Sequence, residues 1–502
     1  MRRKPVFAGA VALGLALLLF WGCAQDPQPA ADSKGASTEP LKVELDLDKA
    51  VAIELPKTPE ALKPACFSAS DGREGWVVQI PGNRPLATPA YADGMLFVGG
   101  GYGSFEFYAF DAKTGALVWQ IKTGDDGPTG AVVEDGCVAF NTESCTVIVA
   151  EAKTGKILWQ EWLGDPLMSQ PAIWKGRLYM AYPAGGRGGM QTNEAGPAKD
   201  PVAVDPKYPH RLLCAELKTG KHLWERPITG DILSAPIIAD GKAVFTCFDG
   251  TSFCVSADDG AVVWEKANAG TSAPVVARGQ IVLTQKEVKD GKTSEGMARL
   301  DAKGVQKDEK LLARSDAKYL GKDAGGGVAL QKDHLQALDS SVGFGQAPAT
   351  AGLGAANDHV GVNSVAGGWA FQGSRAGYND GQFMNAQGRG LNCMGESGRM
   401  AWRAECRGIG VTDETQVFSP PSLGRVNMYL CSGMGHLAEI AQKDGKVGFL
   451  YSTKAPMASQ PALAEGNLYV GTADGRLVCL KAGPDADGWT AWGGNAQHNK
   501  GE

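Results

Sequence analysis

The residue types that carry chemistry in proteins are present in this chain but scattered. Its 502 residues include 6 histidines and 11 cysteines. His210, His222, His334, His359, His436 and His498 share no metal-ligand spacing, and each is expected on the surface or in a loop. The cysteines form no Cys-x-x-Cys, no Cys-x-x-Cys-His and no adjacent pair. Asp485-Ala486-Asp487-Gly488 has the look of a calcium turn but lacks the Glu that completes such a loop, so it reads as a plain turn. Gly99-Gly100-Gly101 ends a strand with no helix after it, and so with no helix N-terminus to hold phosphate. The pattern predicts no catalytic residue, no metal site and no cofactor.

Covalent chemistry is expected at one place, Cys23. Met1-Arg2-Arg3-Lys4 is positive, Val6 to Trp21 is uncharged and apolar, and the run ends at Gly22-Cys23. A small residue before a Cys at the end of such a run resembles the lipobox of bacterial lipoproteins, which implies a signal peptide over 1–22 and a lipid on Cys23. Phe20 and Trp21 depart from the Leu and small residue usual there. Ala24 follows the Cys where an inner-membrane retention signal would have Asp, so an outer-membrane anchor facing the periplasm is preferred. Residues 23–65 are expected to form a flexible tether, and the chain from Cys23 to Glu74 would reach about 150 Å if fully extended. Within it, Leu41, Val43, Leu45 and Leu47 alternate and then lose phase, which fits an added strand or a short helix docked on the main domain.

The elements that would position any site come from a repeat. Tyr108 to Gln120, YAFDAKTGALVWQ, is a strand, a turn closed by Gly115 and a second strand ending on Trp119. The wording returns up to Gln160, Glu225 and Glu265, and more loosely up to Arg403 and Leu450. Trp76 to Trp119 is 43 residues; Trp119 to Trp159 and Trp224 to Trp264 are each 40. Pro89, Pro171, Pro236, Pro274 and Pro461 each precede a Gly by five residues and bracket one more strand; Pro348, Pro421 and Ala131 hold that place in looser copies. That makes eight copies of a roughly 40-residue, four-stranded unit, which must stack radially to bury its faces.

The Ala-x-Asp/Glu-x-x-Thr-Gly-x-x-x-Trp pattern resembles the repeat of the pyrroloquinoline-quinone-like (PQQ-like) β-propellers. Asp111, Thr114, Gly115 and Trp119 match it, as do Glu151, Thr154, Gly155 and Trp159, and Glu216, Thr219, Gly220 and Trp224. The resemblance implies an all-β, eight-bladed propeller over 66–482 with four antiparallel strands per blade. It also implies that Trp76, Trp119, Trp159, Trp224, Trp264 and Trp402 dock between neighbouring blades. The strand at Trp76 lacks a repeat before it and is expected to join the last blade and close the ring. The tail 483–502, with Trp489-Thr490-Ala491-Trp492-Gly493-Gly494-Asn495, is expected to pack on the last blade.

Function is constrained less tightly. The net charge is −6, and −9 once Arg2, Arg3 and Lys4 are removed, without basic clusters, so nucleic acid is not an expected partner. The fold hosts quinone enzymes as well as proteins that only bind other proteins. The enzymes of this type carry a vicinal Cys-Cys disulfide over the quinone, which this sequence lacks. The anchor and repeat type are similar to those of the propeller subunit of the outer-membrane barrel-assembly machinery. The expected function is therefore a monomeric, non-catalytic scaffold for envelope proteins, held to the membrane through Cys23. The alternatives are a quinoprotein-like dehydrogenase with pyrroloquinoline quinone and calcium, and a carbohydrate or cell-envelope binder. Cys214, Cys254 and Cys479 fall at the small buried position of Ala109; Cys137 with Cys145, and Cys247 with Cys254, are either disulfides or free thiols. The stretch 183–211, rich in Gly and Pro, is expected to be a long loop.

Overall fold

A computed structural model describes residues 39–101, 103–142, 145–164, 169–184, 205–316, 374–413, 415–457 and 459–500. Cys23, His334, His359 and Pro348 lie outside these residues, as does most of the 183–211 insertion. The described strands form eight sheets. In chain order the blades span 90–122, 132–162, 172–228, 237–266, 275–316, 377–407, 422–452 and 462–481, and are numbered 1 to 8. Blade 8 takes Glu74–Gln79 as its fourth strand: this segment pairs antiparallel with Arg476–Lys481, with Cys479 opposite Trp76. The first strands of neighbouring blades touch from blade 1 through blade 7, and that of blade 8 touches that of blade 1. The chain is thus an eight-bladed propeller of four-stranded antiparallel units, closed by its N-terminal strand.

The repeat wording explains each joint. In blade 1 the Asp111 carboxylate accepts from Thr114 N (2.8 Å) and Thr114 Oγ1 (2.6 Å), which tightens the turn, and Gly115 sits at φ +73. The absent side chain at this Gly is where the neighbouring Trp lies. A Cβ on Gly115 would stand 2.8 Å from the Trp76 ring, one on Gly155 2.8 Å from Trp119, and one on Gly220 2.8 Å from Trp159. Gly260 meets Trp224, Gly304 meets Trp264 and Gly445 meets Trp402 in the same way. Each indole N–H then reaches a carbonyl beside the turn: Trp119 Nε1 to Ala152 O at 2.9 Å, Trp159 to Leu217 O at 2.7 Å, Trp402 to Gln442 O at 2.7 Å. Trp76 and Trp224 reach Ala112 O and Ala257 O, each at 3.3 Å, while Trp264 Nε1 has no partner. Opposite each Trp the neighbouring strand carries Ala109, Val149, Cys214, Cys254, Cys393 or Cys479, which leave room for the ring.

Two joints lack the Trp. Between blades 5 and 6, Arg299 and Leu312 take its place against Gly398, and Arg299 is held by Asp308 at 2.5 Å and by the carbonyl of Glu396. Blade 8 has no hairpin turn to receive one, because its fourth strand comes from the N-terminus. There Phe449 of blade 7 lies beside Tyr451 of its own strand (centroids 4.8 Å apart), and the Arg73 guanidinium, 5.1 Å from its ring centre, makes the contact across the joint.

Three expectations are corrected. Residues 40–65 are not tether. Leu41–Asp46 adds a parallel fifth strand to blade 6, Val51–Ala52 does so on blade 7, and Pro64–Ser68 pairs antiparallel with Glu74–Gln79 on blade 8. The alternating Leu45 and Leu47, with Ile53, are buried against these blades, so the apolar phase outweighs the polar composition around it. The chain between Cys23 and Pro40 then spans at most about 55 Å. The sixth blade begins at Gly377, with Ala376 and Gly381 in the places elsewhere held by Pro and Gly, instead of at Pro348. The tail packs on every blade and not on the last one alone, as described below.

The joints predict a graded response to adding one methyl group. Gly136 (φ +73) has open space around its Cβ position, so Gly136→Ala carries only the left-handed backbone strain, ~1–2 kcal/mol. Gly155→Ala adds collision with Trp119 and is expected to cost a further ~1–3 kcal/mol in urea unfolding. Equal losses in the two variants would contradict the stacking of indole on glycine.

Candidate functional site

Propellers offer ligands two places, the central axis and the outer surfaces. The axis is lined by eight first strands of two or three residues whose inner edges have no neighbouring strand to pair with. The segment 489–500 fills one stretch of it. Leu463 of blade 8 exchanges both backbone bonds with Trp489 (2.7 and 3.1 Å). Tyr91 of blade 1, Ile173 of blade 3 and Ile238 of blade 4 each donate their N–H to a tail carbonyl, at 2.6, 2.8 and 3.0 Å. Val276 of blade 5 pairs through both backbone groups with the Asn499 amide (3.0 and 2.9 Å). Blade 2 accepts from Gln497 at Glu134, blade 7 accepts from Lys500 at Leu423 O, and Arg375 of blade 6 donates to His498 O at 2.5 Å. These contacts use the same middle residue of the first strand in five blades, so the tail reads the ring's pseudosymmetry with a non-repeating sequence.

Two ionisable groups are fully enclosed here. Among the described residues no carboxylate pairs with Arg375; Pro274 O (3.0 Å), His498 O and the Trp492 ring (4.9 Å) surround its guanidinium. Burial pulls it down to about 9, so it stays charged at neutral pH. His498 has Trp492 O 2.7 Å from Nδ1 and Pro171 O 2.8 Å from Nε2. Both carbonyls favour the charged ring, but burial and the nearby Arg375 charge outweigh them and pull its pKa down to about 4. The expectation that histidines lie at the surface or in a loop therefore fails at His210 and His436, which are buried in strands; His498 is in an irregular segment, as expected, but is buried too.

A second polar cluster lies buried between blades 5 and 6. Glu295 accepts from Thr271 Oγ1 (2.5 Å), Ser374 Oγ (2.9 Å) and Gln387 Nε2 (3.5 Å), and Thr271 and Ser374 also meet Thr284. The repeat wording does not mark Glu295; the available signal is an acid at the head of the run 295–300, which is buried throughout.

The thiols are placed for packing. All ten cysteines from Cys66 onward are free, and every one but Cys66 is buried, which decides the two open pairs in favour of thiols. Burial pushes Cys214 and Cys254 up to about 11 and Cys393, Cys406 and Cys431 up to about 12, far from a reactive thiolate. Asp485, read as a plain turn, ties two blades: its carboxylate accepts from Val426 N and Asn427 N, both at 2.9 Å. Among the described residues no group of three or more His, Cys, Asp or Glu is arranged to hold a metal ion, and no helix is long and apolar enough to cross a membrane.

On the outer surface His222 of blade 3 lies between Glu161 (2.9 Å) and Glu225 (3.2 Å), and hydrogen bonds to both raise its pKa to about 9. An open cleft of about 720 Å³ lies where the 72–74 turn meets blade 8, lined among others by Arg73, Glu74, Lys481 and Asp487; Lys481 and Glu74 pair at 2.9 Å. The acids, bases and thiols described here are engaged mainly in contacts within and between blades.

The family model described as "Outer membrane protein assembly factor BamB" matches residues 65–190, 183–353 and 349–493. The chain is similar to "Outer membrane protein assembly factor BamB" of Burkholderia pseudomallei, 25% identical over 229 residues, which is 39% of this chain and 59% of that protein. It is also similar to "Quinoprotein alcohol dehydrogenase PedH" of Pseudomonas putida, 22% identical over 259 residues, 48% of this chain and 39% of that one. The chain thus spans well under two thirds of either relative. Among solved structures, quinohemoprotein alcohol dehydrogenase from Comamonas testosteroni superposes with a TM-score of 0.50 at 11% identity, covering 86% of this chain and 78% of that one.

The shifted histidines predict a pH profile. His222, with its folded pKa raised from 6.5 to about 9, contributes stability that is complete below pH 6.5 and fades as pH rises through about 9. His210 and His498, lowered to about 4 by burial, contribute stability that is complete above pH 6.5 and is lost as pH falls toward 4. The Tm is expected to peak near pH 6.5, and His222→Gln is expected to flatten the alkaline limb alone; an unchanged alkaline limb would remove the His222 cluster from the account.

Proposed function

This chain belongs to the family of the outer membrane protein assembly factor BamB, and from that premise we propose that it is a non-catalytic, protein-binding scaffold of the cell envelope, anchored by a lipid on Cys23. The observation that carries this reading is the axis. The stretch of a propeller that could seat a ligand is filled over 489–500 by the chain's own tail, which bonds to all eight blades. What remains available to a partner is the outside of the ring and its two faces.

The quinoprotein reading draws on relatives of low identity, PedH among them. Two features speak against a quinone seated on a calcium ion. Glu295, the acid buried between blades 5 and 6, already accepts from Thr271, Ser374 and Gln387. The vicinal cysteine pair of those enzymes is missing from the sequence. No reaction step is therefore drawn through that cofactor.

Two measurements test the proposal. Titrating the purified protein with pyrroloquinoline quinone and calcium is expected to leave its Tm in place; a rise that saturates at micromolar quinone would overturn the scaffold reading in favour of the enzyme. Cys23→Ser is expected to move the protein from the membrane fraction to the soluble extract, because one substitution removes every acyl chain. Retention of the variant in membranes would sink the lipid anchor.

A further inference from the structure

The protein uses one device three times along its N-terminal segment: an extended piece of chain lies against the outer edge of a blade and becomes its fifth strand. On blades 6 and 8 this addition also seals the docking tryptophan. Trp402 is 0% exposed beneath Leu41–Asp46, whose Val43 reaches the Gly445 and Trp402 contact, and Trp76 is 4% exposed beneath Pro64–Ser68, whose Pro64 lies against Gly115. Of the tryptophans on blades without an added strand, Trp119, Trp159 and Trp224 stay only half-buried, while Trp264 is 9% exposed.

The outer strands of blades 1 to 4 have open edges among the described residues, and they carry exposed apolar side chains: Leu117 and Val118, Ile157 and Leu158, Leu223, Val262 and Val263. Such edges attract strands unless something blocks them. Blade 3 is blocked in part by Pro227, which has no N–H to offer. Blade 1 is not. Its outer strand Leu117–Lys122 has no proline, Leu117 and Val118 are exposed at one end, and Phe105, 54% exposed, accepts from Thr123 N at the other. Blade 1 is also the next blade round the ring after the three the N-terminal segment covers.

The open edges differ from the covered ones, among other places, at the residue before the docking aromatic. Before the docking aromatic, the covered blades have Gly75, Ala401 and Gly448, and the open blades have Val118, Leu158, Leu223 and Val263. On blade 8 the ring of Phe67 lies where a Cβ on Gly75 would come within 2.4 Å of it. A strand like Pro64–Ser68 would therefore collide with Val118, so the chain's own added strand does not suit blade 1.

Resting on the scaffold reading above, we propose that the edge Leu117–Lys122 accepts an extended segment of a partner protein as a fifth strand. That segment alternates apolar residues toward the Trp119 and Phe105 side and carries Gly or Ala opposite Val118. Backbone hydrogen bonds would supply affinity, and the alternating side chains specificity.

The test is photo-crosslinking in intact cells making the full-length protein, with the reactive amino acid placed in turn at Val118, Gln120 and Lys122. Val426 and Ile409, exposed elsewhere, serve as reference positions. The proposal expects the three blade 1 positions to capture one partner segment, with the captured residues stepping by two along it. Val118→Lys is expected to cut capture from Gln120 and Lys122 by about five-fold while leaving the Tm unchanged. Capture at unrelated residues, of lipid, or of a second copy of this chain overturns it. Capture from Val426 or Ile409 but not from blade 1 overturns the edge and leaves the scaffold standing; no capture of protein from any position overturns both.

Discussion

A closed ring of sheets leaves one problem that the sheets cannot solve among themselves. Each blade's first strand has a neighbour on its outer side only, so eight short edges of backbone N–H and C=O groups converge on the axis. Water or a ligand can satisfy such groups, and a buried group left unsatisfied costs as much as a lost hydrogen bond. Here the chain satisfies them with its own last residues. Trp489, Trp492, Ala491 and Ala496 also place apolar surface against four separate clusters of the core, so one segment joins those clusters.

Around this hub the rim is held by a contact that appears six times, an indole lying on a left-handed glycine of the next blade. It explains why Thr, Gly and Trp recur together. The Asp or Glu and Thr fix the turn, the turn demands Gly, and Gly leaves the space the ring fills. Because the whole device spans about a dozen residues, it was legible in the sequence, along with the count of eight and the strand at Trp76 that completes blade 8. The small residue opposite each Trp was legible at Cys214, Cys254 and Cys479 for the same reason and was missed at Cys393, where the repeat is looser.

What was not legible depends on partners far away in sequence. The alternation of Leu41, Val43, Leu45 and Leu47 marks a strand, but nothing local says that it lies on Met400–Arg407, some 360 residues on, in parallel register. Arg299 standing in for a tryptophan, Arg375 enclosed by carbonyls, and His498 buried beside it follow from where the ring closes. The segment 493–499, rich in Gly and Asn, is expected from sequence to pack on the last blade alone. In the folded chain those residues supply the small size and side-chain amides that eight converging edges need. Function follows the same division: the repeat states the fold, and the non-repeating segments at the two ends determine which of its surfaces stay open.

The most direct test of this picture is hydrogen exchange at the axis. Ending the chain after Asp487 should leave the blades folded, with Tyr108 in the third strand of blade 1 still protected, while the amides of Tyr91, Ile173, Ile238, Val276 and Leu463 exchange far faster than in the full chain. Unchanged protection at those five amides in the shortened chain would show that the tail is not what satisfies the axis, and the account of the hub would fall.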